Sequence, residues 1–277
     1  MKNHKITGGG GTRLHLVETG NPSGRPILFI HGFSQSCFSW NRQLKSDLAD
    51  DFRLVAMDLR GHGCSDKPRD AYGDPKLWAD DIRAVIDTLG LDRPVLVGWS
   101  YGPLVILDYI RHYGEDKIGG INFVAGVTKL GSDEAMAVLT PEFLGFVPGF
   151  FSTDAEESVN SLESLLRLCF ASEPSAEALY MMLGCSVLTP PHIRQAMFAR
   201  ALDNDDLLTN IRTPLLLTHG TADRVVRPLA AEQVKAVVPH ARLHLVEGAG
   251  HAPFWDEARA YNDRLQAFTV GNDAVAA

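Results

Sequence analysis

No stretch of this chain can span a bilayer: its longest apolar runs fall far short of the roughly 20 residues a membrane helix needs. The first residues, Met1-Lys2-Asn3-His4-Lys5, lead into Gly8 to Gly11 and not into an apolar core, so no secretory signal is read there. Lysine and arginine form no block, and 26 basic against 34 acidic residues leave a net charge of −8. Nucleic acid is therefore not an expected partner, and neither is a membrane. Cysteine is scarce. Cys37, Cys64, Cys169 and Cys185 make no Cys-x-x-Cys pair and stand at no zinc spacing with histidine, so no metal is expected. They read as free thiols of a reducing compartment; two long-range disulfides in a secreted protein are the rival. Repeats and low-complexity segments are absent too. The expectation is a soluble cytoplasmic protein, with homo-oligomerisation left open.

What remains is an ordinary globular composition, 277 residues with 45% hydrophobic and 22% charged. That length allows one large α/β domain with an inserted subdomain. Short aliphatic runs recur at Ile27–Ile30, Leu54–Met57, Val95–Val97, Ile121–Val124, Pro214–Leu217 and Leu243–Val246. Most lack polar alternation, as strands of a parallel sheet covered on both faces do. Helical patterns lie between them at Trp40–Leu48, Lys76–Leu89, Pro103–Tyr113, Pro228–Val237 and Ala258–Phe268. The alternation predicts a mostly parallel, doubly wound sheet. An N-terminal hairpin, from Ile6 and Arg13–Val17, precedes it, and the end from Gly271 to Ala277 is expected to fray.

Residues 128–206 break the rhythm. They hold no convincing strand, but they hold helix starts at Ser132, at Thr140 before Pro141, at Thr153 with Glu156, and at Thr189 before Pro190. Val159, Leu162, Leu166 and Cys169 or Phe170 form one apolar stripe. The predicted organisation is a core of residues 1–127 and 207–277 with a helical lid over residues 128–206.

The most telling segment is Val95-Leu96-Val97-Gly98-Trp99-Ser100-Tyr101-Gly102. A Gly-x-Ser-x-Gly can arise by chance in a glycine-rich turn. Set between a buried strand and a helix, it has the context of a nucleophile elbow. Such a serine needs a base, a group that orients the base, and donors for an oxyanion. His251 is the candidate base, because Gly248-Ala249-Gly250-His251 follows the last strand directly. His31 and His62 sit in glycine turns and read as structural. Asp223 follows the strand Leu215–Leu217 and is the candidate orienter; an Asx-turn is its alternative reading. The loop after Val124 offers no carboxylate. The backbone amides of Phe33 and Tyr101 are the candidate oxyanion donors, the second because it opens a helix with its N–H unpaired.

These residues resemble an α/β-hydrolase from about Ile6 to Phe268. The matching pieces are His31-Gly32-Phe33, the loop Asp58-Leu59-Arg60-Gly61-His62-Gly63-Cys64-Ser65, the elbow, Asp223 and Gly250-His251. The resemblance implies a cofactor-free serine hydrolase that acts on a small acyl substrate. The Asp58–Ser65 loop is expected to brace turns near the site and not to react. Small esterases and the cofactor-free haloperoxidase or perhydrolase branch are the most similar groups. That branch often carries proline after the oxyanion aromatic, where this chain has Ser34. Acyl-homoserine-lactone lactonases are similar around Gly98-Trp99-Ser100 and Gly250–Phe254. Epoxide hydrolases and haloalkane dehalogenases use an aspartate nucleophile, against which Ser100 argues.

Trp99, Phe143, Phe146 and Phe254 are the candidate pocket residues, suited to an uncharged apolar group. The rival reading makes the lid aromatics the lid's own core. Pro141, Gly145, Pro148 and Gly149 are candidate hinges. The expected activity is cleavage of a carboxylic ester or related acyl bond through an acyl-enzyme. Lactone hydrolysis, perhydrolysis as a side activity, C–C bond hydrolysis and a ligand-binding receptor remain as alternatives.

Overall fold

The computed structural model describes residues 1–271; the stretch after Gly271, expected to fray, lies outside them. Among the described residues, eight strands form one sheet: β1 (Lys2–Thr7), β2 (Arg13–Gly20), β3 (Pro26–Ile30), β4 (Arg53–Met57), β5 (Val95–Trp99), β6 (Gly120–Val124), β7 (Leu215–Gly220) and β8 (Arg242–Val246). Their spatial order is β1-β2-β4-β3-β5-β6-β7-β8. The hairpin β1–β2 joins antiparallel and β2 meets β4 antiparallel; every later pairing is parallel. This is the α/β arrangement expected. Apart from Arg53 at the start of β4, strands β3 to β7 are buried throughout, which is why their sequences carry no polar alternation.

The register of the parallel strands sets where a site can form. Ile30 stands beside Gly98, Gly98 beside Phe123, Phe123 beside Leu217, and Leu217 beside Leu243. These five parallel strands therefore point their carboxyl ends to one edge, β7 and β8 running three residues beyond this level. Loops leaving them share one edge of the sheet, the place where open α/β sheets bind ligands.

Helices Pro75–Leu89 and Gly102–Tyr113 pack against each other beside the sheet. The first begins as its sequence prescribes, with the Asp74 carboxylate capping Lys76 N–H and Pro75 at the first position. The expected helix Trp40–Leu48 is instead a 3-10 turn, Cys37–Trp40, followed by two short helices, Asn41–Leu44 and Leu48–Asp51. The Ser46 hydroxyl donates to Gln43 O and accepts from Leu48 N–H, so it diverts the backbone between them.

Between β6 and β7 the chain is helical, with two isolated bridges, Leu130 to Leu202 and Leu139 to Val226, tying it down. Ser132 and Thr140 cap helices Asp133–Ala137 and Pro141–Phe150 as expected. Helix Ala155–Cys169 is capped by Asp154 and not by Thr153, since a carboxylate complements the positive helix end better than a hydroxyl. Helix Pro191–Phe198 starts after Pro190, and Thr189 caps nothing. Helix Ala176–Val187, capped by Ser175, was not expected, because Leu179 to Leu183 is apolar without a stripe. Pro141 opens one helix and Pro148 lies inside it, so these residues build a helix where hinges were expected.

One side chain ties three of these helices to its own. Arg194 is buried and, among the described residues, pairs with no carboxylate. Its guanidinium donates to Phe150 O at 2.7 Å, Ser186 O at 3.3 Å and Ser158 Oγ at 2.8 Å. Burial lowers its pKa to about 10.

Candidate active site

Strand β5 runs two residues further than expected, through Trp99, so Ser100 stands immediately at its end. The turn is sharp: Ser100 has φ +58°, a left-handed backbone that a non-glycine residue adopts only under constraint. The flanking glycines explain how the chain fits. A Cβ on Gly98 would lie 2.8 Å from the backbone of Gly102, and one on Gly102 would lie 2.7 Å from Ile30 O. Strand, turn and helix could not approach so closely with any side chain there.

Three distant segments meet at this turn. His251 Nε2 is 2.9 Å from Ser100 Oγ, and His251 Nδ1 is 2.8 Å from Asp223 Oδ2. An ionised carboxylate can only accept, so Nδ1 carries the proton and Nε2 is left to accept from the serine hydroxyl. The Asp223 and His251 side chains are almost wholly buried. Burial alone would push the Asp223 carboxyl up. The charge of His251 and hydrogen bonds from His219 and His251 outweigh it and hold the group at about 2.

Asp223 satisfies both of its sequence readings at once. Its Oδ1 accepts from Val225 N–H at 2.8 Å and Val226 N–H at 3.0 Å, which is the Asx-turn, while Oδ2 faces His251. His219, not proposed as a partner from the sequence, lies behind it. Its Nε2 is 3.0 Å from Asp223 Oδ2 and 2.9 Å from Val226 O, both acceptors, so that nitrogen carries its proton. The four-residue spacing between His219 and Asp223 was the available signal.

Trp99 holds the loop of His251: its indole N–H donates to His251 O at 2.8 Å, and the two rings lie 5.6 Å apart. Phe33 and Tyr101 line the same cavity as Ser100, and among the described residues their backbone amides donate to no protein acceptor. The turn carrying Phe33 is braced as expected by the Asp58–Ser65 loop. His31 donates through Nδ1 to Gly32 O and accepts at Nε2 from Leu59 N–H at 3.0 Å. Arg60 is paired with Asp81 at 2.7 Å and also donates to Gly9 O and Leu77 O. Asp58 accepts from the Cys37 and Cys64 amides and from His15. All four cysteines are free thiols.

A cavity of about 730 Å³ of atom-free space, partly open to solvent, opens over Ser100 and His251. Trp99 and Phe143 line it, as expected, and so does Phe198, which the sequence did not single out. Phe254 does not line it. That ring is fully buried behind Trp99, packed 4.3 Å from Trp40 and 5.1 Å from Trp99. Phe146 does not line it either; it is half-buried and packs against the hydrophobic core. Phe150 belongs to the helical segment's own core. The two readings of these aromatics thus divide between residues of one helix.

Ser34, after Phe33, has φ +54° and its hydroxyl donates to Ser186 O of the helical segment. Proline, locked near −65°, cannot take that backbone.

A family model described as "Alpha/beta hydrolase family" matches residues 27–264. The esterase RhEst1 from Rhodococcus sp. ECU1013 is similar in structure, with a TM-score of 0.92 and 34% identity over 98% of this chain and 99% of that one. A non-heme haloperoxidase of Rhodococcus erythropolis is 28% identical over 95% of this chain and 98% of its own length. The AB hydrolase superfamily protein YisY of Bacillus subtilis (strain 168) is 29% identical over 89% of this chain and 92% of its own. Among the described residues, no helix is long and apolar enough to cross a membrane.

Proposed function

The chain belongs to the alpha/beta hydrolase family, and from that premise we propose that it cleaves carboxylic esters of small apolar substrates through an acyl-enzyme on Ser100. The observation that carries this reading is the unbroken relay from Asp223 Oδ2 to His251 to Ser100 Oγ, at 2.8 and 2.9 Å. A protein that only binds a ligand has no use for a base aligned on a strained serine. The similarity to an esterase at 34% identity supports the same direction.

The chemistry follows from the geometry. His251 Nε2 takes the Ser100 proton as Oγ attacks the ester carbonyl carbon. The carbonyl oxygen becomes an oxyanion and lies toward the amides of Phe33 and Tyr101. Each such donor typically lowers the barrier by about 3 kcal/mol. Asp223 keeps the imidazole in the needed tautomer and stabilises its charge. His251 then passes the proton to the leaving alcohol, and a water activated by the same nitrogen frees the acid. The helical segment over residues 128–206 serves as the lid that supplies most of the apolar wall.

Perhydrolysis is the weaker reading, because the backbone at Ser34 cannot hold the proline found in that branch. The test is turnover of p-nitrophenyl acetate and butyrate, with labelling by a fluorophosphonate. We expect Ser100→Ala to lose both while its circular dichroism matches the parent. Retained turnover in that variant removes the proposal.

A further inference from the structure

A second cavity, a cleft of about 370 Å³ partly open to solvent, lies against the first. The two share Val127, Lys129 and Ala135 as a common wall. On its far side the second cavity is bounded by the helix Leu229–Val237, through Ala230, Val234 and Val237. The shared wall stands close to the reacting serine, since Val127 N–H donates to Ser100 O at 3.0 Å.

Of the three shared residues, two are small or apolar and fixed. Lys129 is the movable one. Its ammonium is 2.6 Å from Asp205 and 3.2 Å from Glu134 at the rim of the outer cavity. The carboxylate side chains are 52% and 72% exposed, so solvent screens both pairs and they hold the lysine only weakly. Its aliphatic stem covers the wall while its charged end stays at the surface. Lys129 thus stands on the wall common to both cavities.

We propose that the two cavities act as one extended binding site and that the outer one receives a linear, uncharged aliphatic chain attached to the scissile ester, with Lys129 as the gate between them. The inner pocket then orients the ester, and the outer cavity selects for chain length. The trio Lys129, Glu134 and Asp205 carries one net negative charge, which disfavours a chain ending in a carboxylate. The inference rests on the ester-hydrolase reading above.

The test fills the outer cavity from its far side. Gln233 and Ala236 are exposed on the helix Leu229–Val237, line only the outer cavity, and tolerate a large side chain without disturbing the core. Gln233→Trp and Ala236→Trp are compared with the parent on p-nitrophenyl acetate and octanoate, which vary the acyl side. Ethyl and octyl acetate vary the alcohol side. A lost chain contact in either series should lower kcat/KM for the eight-carbon ester about tenfold or more while the two-carbon ester stays within about twofold. The series that responds tells which side of the ester enters the outer cavity. Unchanged ratios in both series, in variants with parental thermal midpoints, overturn the inference. If the parent turns over none of these esters and resists the fluorophosphonate, the ester reading itself falls, a result distinct from an unaltered chain-length profile.

Discussion

Two histidine–aspartate pairs in this fold are nearly superimposable in their chemistry and differ in consequence. His251 with Asp223 and His15 with Asp58 are each joined through Nδ1 and Oδ2 at 2.8 Å. Each aspartate also accepts two backbone amides, Val225 and Val226 in one case, Cys37 and Cys64 in the other. Both carboxyls are buried, and in both the partners outweigh the cost of burial and hold the group at about 2. The difference lies on the far side of the imidazole. His251 Nε2 meets a hydroxyl whose proton it can take; His15 Nε2 meets Asn3 Oδ1 at 3.1 Å, which has none to give. The same buried histidine–carboxylate pair is thus a brace at His15 and, under the proposed function, a relay at His251, where a strained turn brings a hydroxyl to the open nitrogen.

The comparison breaks most visibly by removing one charge from each pair. Asp223→Asn should lower kcat for p-nitrophenyl butyrate by about 10⁴-fold with little change in KM, because the imidazole loses its tautomer. Asp58→Asn should keep kcat within about tenfold yet lose about 2 to 3 kcal/mol of stability in denaturant unfolding, the cost of a broken buried pair. Equal losses of activity in the two variants would contradict the division of roles.

Acid sharpens the contrast. Burial lowers His62 from 6.5 to about 3, so its contribution is complete above pH 6.5 and erodes as pH falls from there toward 3. Asp58 and Asp223, lowered from 3.8 to about 2, contribute fully above pH 3.8 and lose that support between 3.8 and 2. Each group can change stability by about 1.4 kcal/mol per pH unit within its window. The thermal midpoint should begin to fall below about pH 6.5, fall only shallowly between about 6 and 3.8, where Asp108, raised by burial to about 6, favours the fold as pH drops, and steepen below about 4, and Asp58→Asn should lessen the last slope. A midpoint that stays level down to about pH 3 would rule this out. The smallest expected effect is that of His15→Gln, roughly 1 kcal/mol of stability with kcat unchanged, since Asp58 keeps both amide partners.

The parts of the fold legible in the sequence are those set by local rules. Parallel strands covered on both faces need unbroken aliphatic runs, so β3 to β7 stand out. The elbow stands out because Gly98 and Gly102 answer a steric demand within five residues. The meeting of Ser100, Asp223 and His251 could be posed because each follows a strand of one parallel sheet, and parallel strands present their ends together. The pocket was harder. Phe143 faces the cavity and Phe146 does not, although both lie on one helix, because the choice is made by how that helix docks. Phe198, not singled out in the sequence, lines the cavity and Phe254, expected there, does not, for the same reason. His219 was the hardest to read, because its role depends on a carboxylate across a loop and only the four-residue spacing to Asp223 marks the pair.

Arg194 lies behind the cavity wall and carries a leverage out of proportion to its position. Through the helices it fastens, one guanidinium reaches the segments that bear Phe143, Leu165 and Phe198, which line the cavity over Ser100. A single step at position 194 could therefore shift all three of these segments together while leaving Ser100, Asp223 and His251 untouched. Profiling Arg194→Lys against a panel of acyl esters would expose such a shift as a reordering of substrate preference; a uniform loss across the panel would count against it.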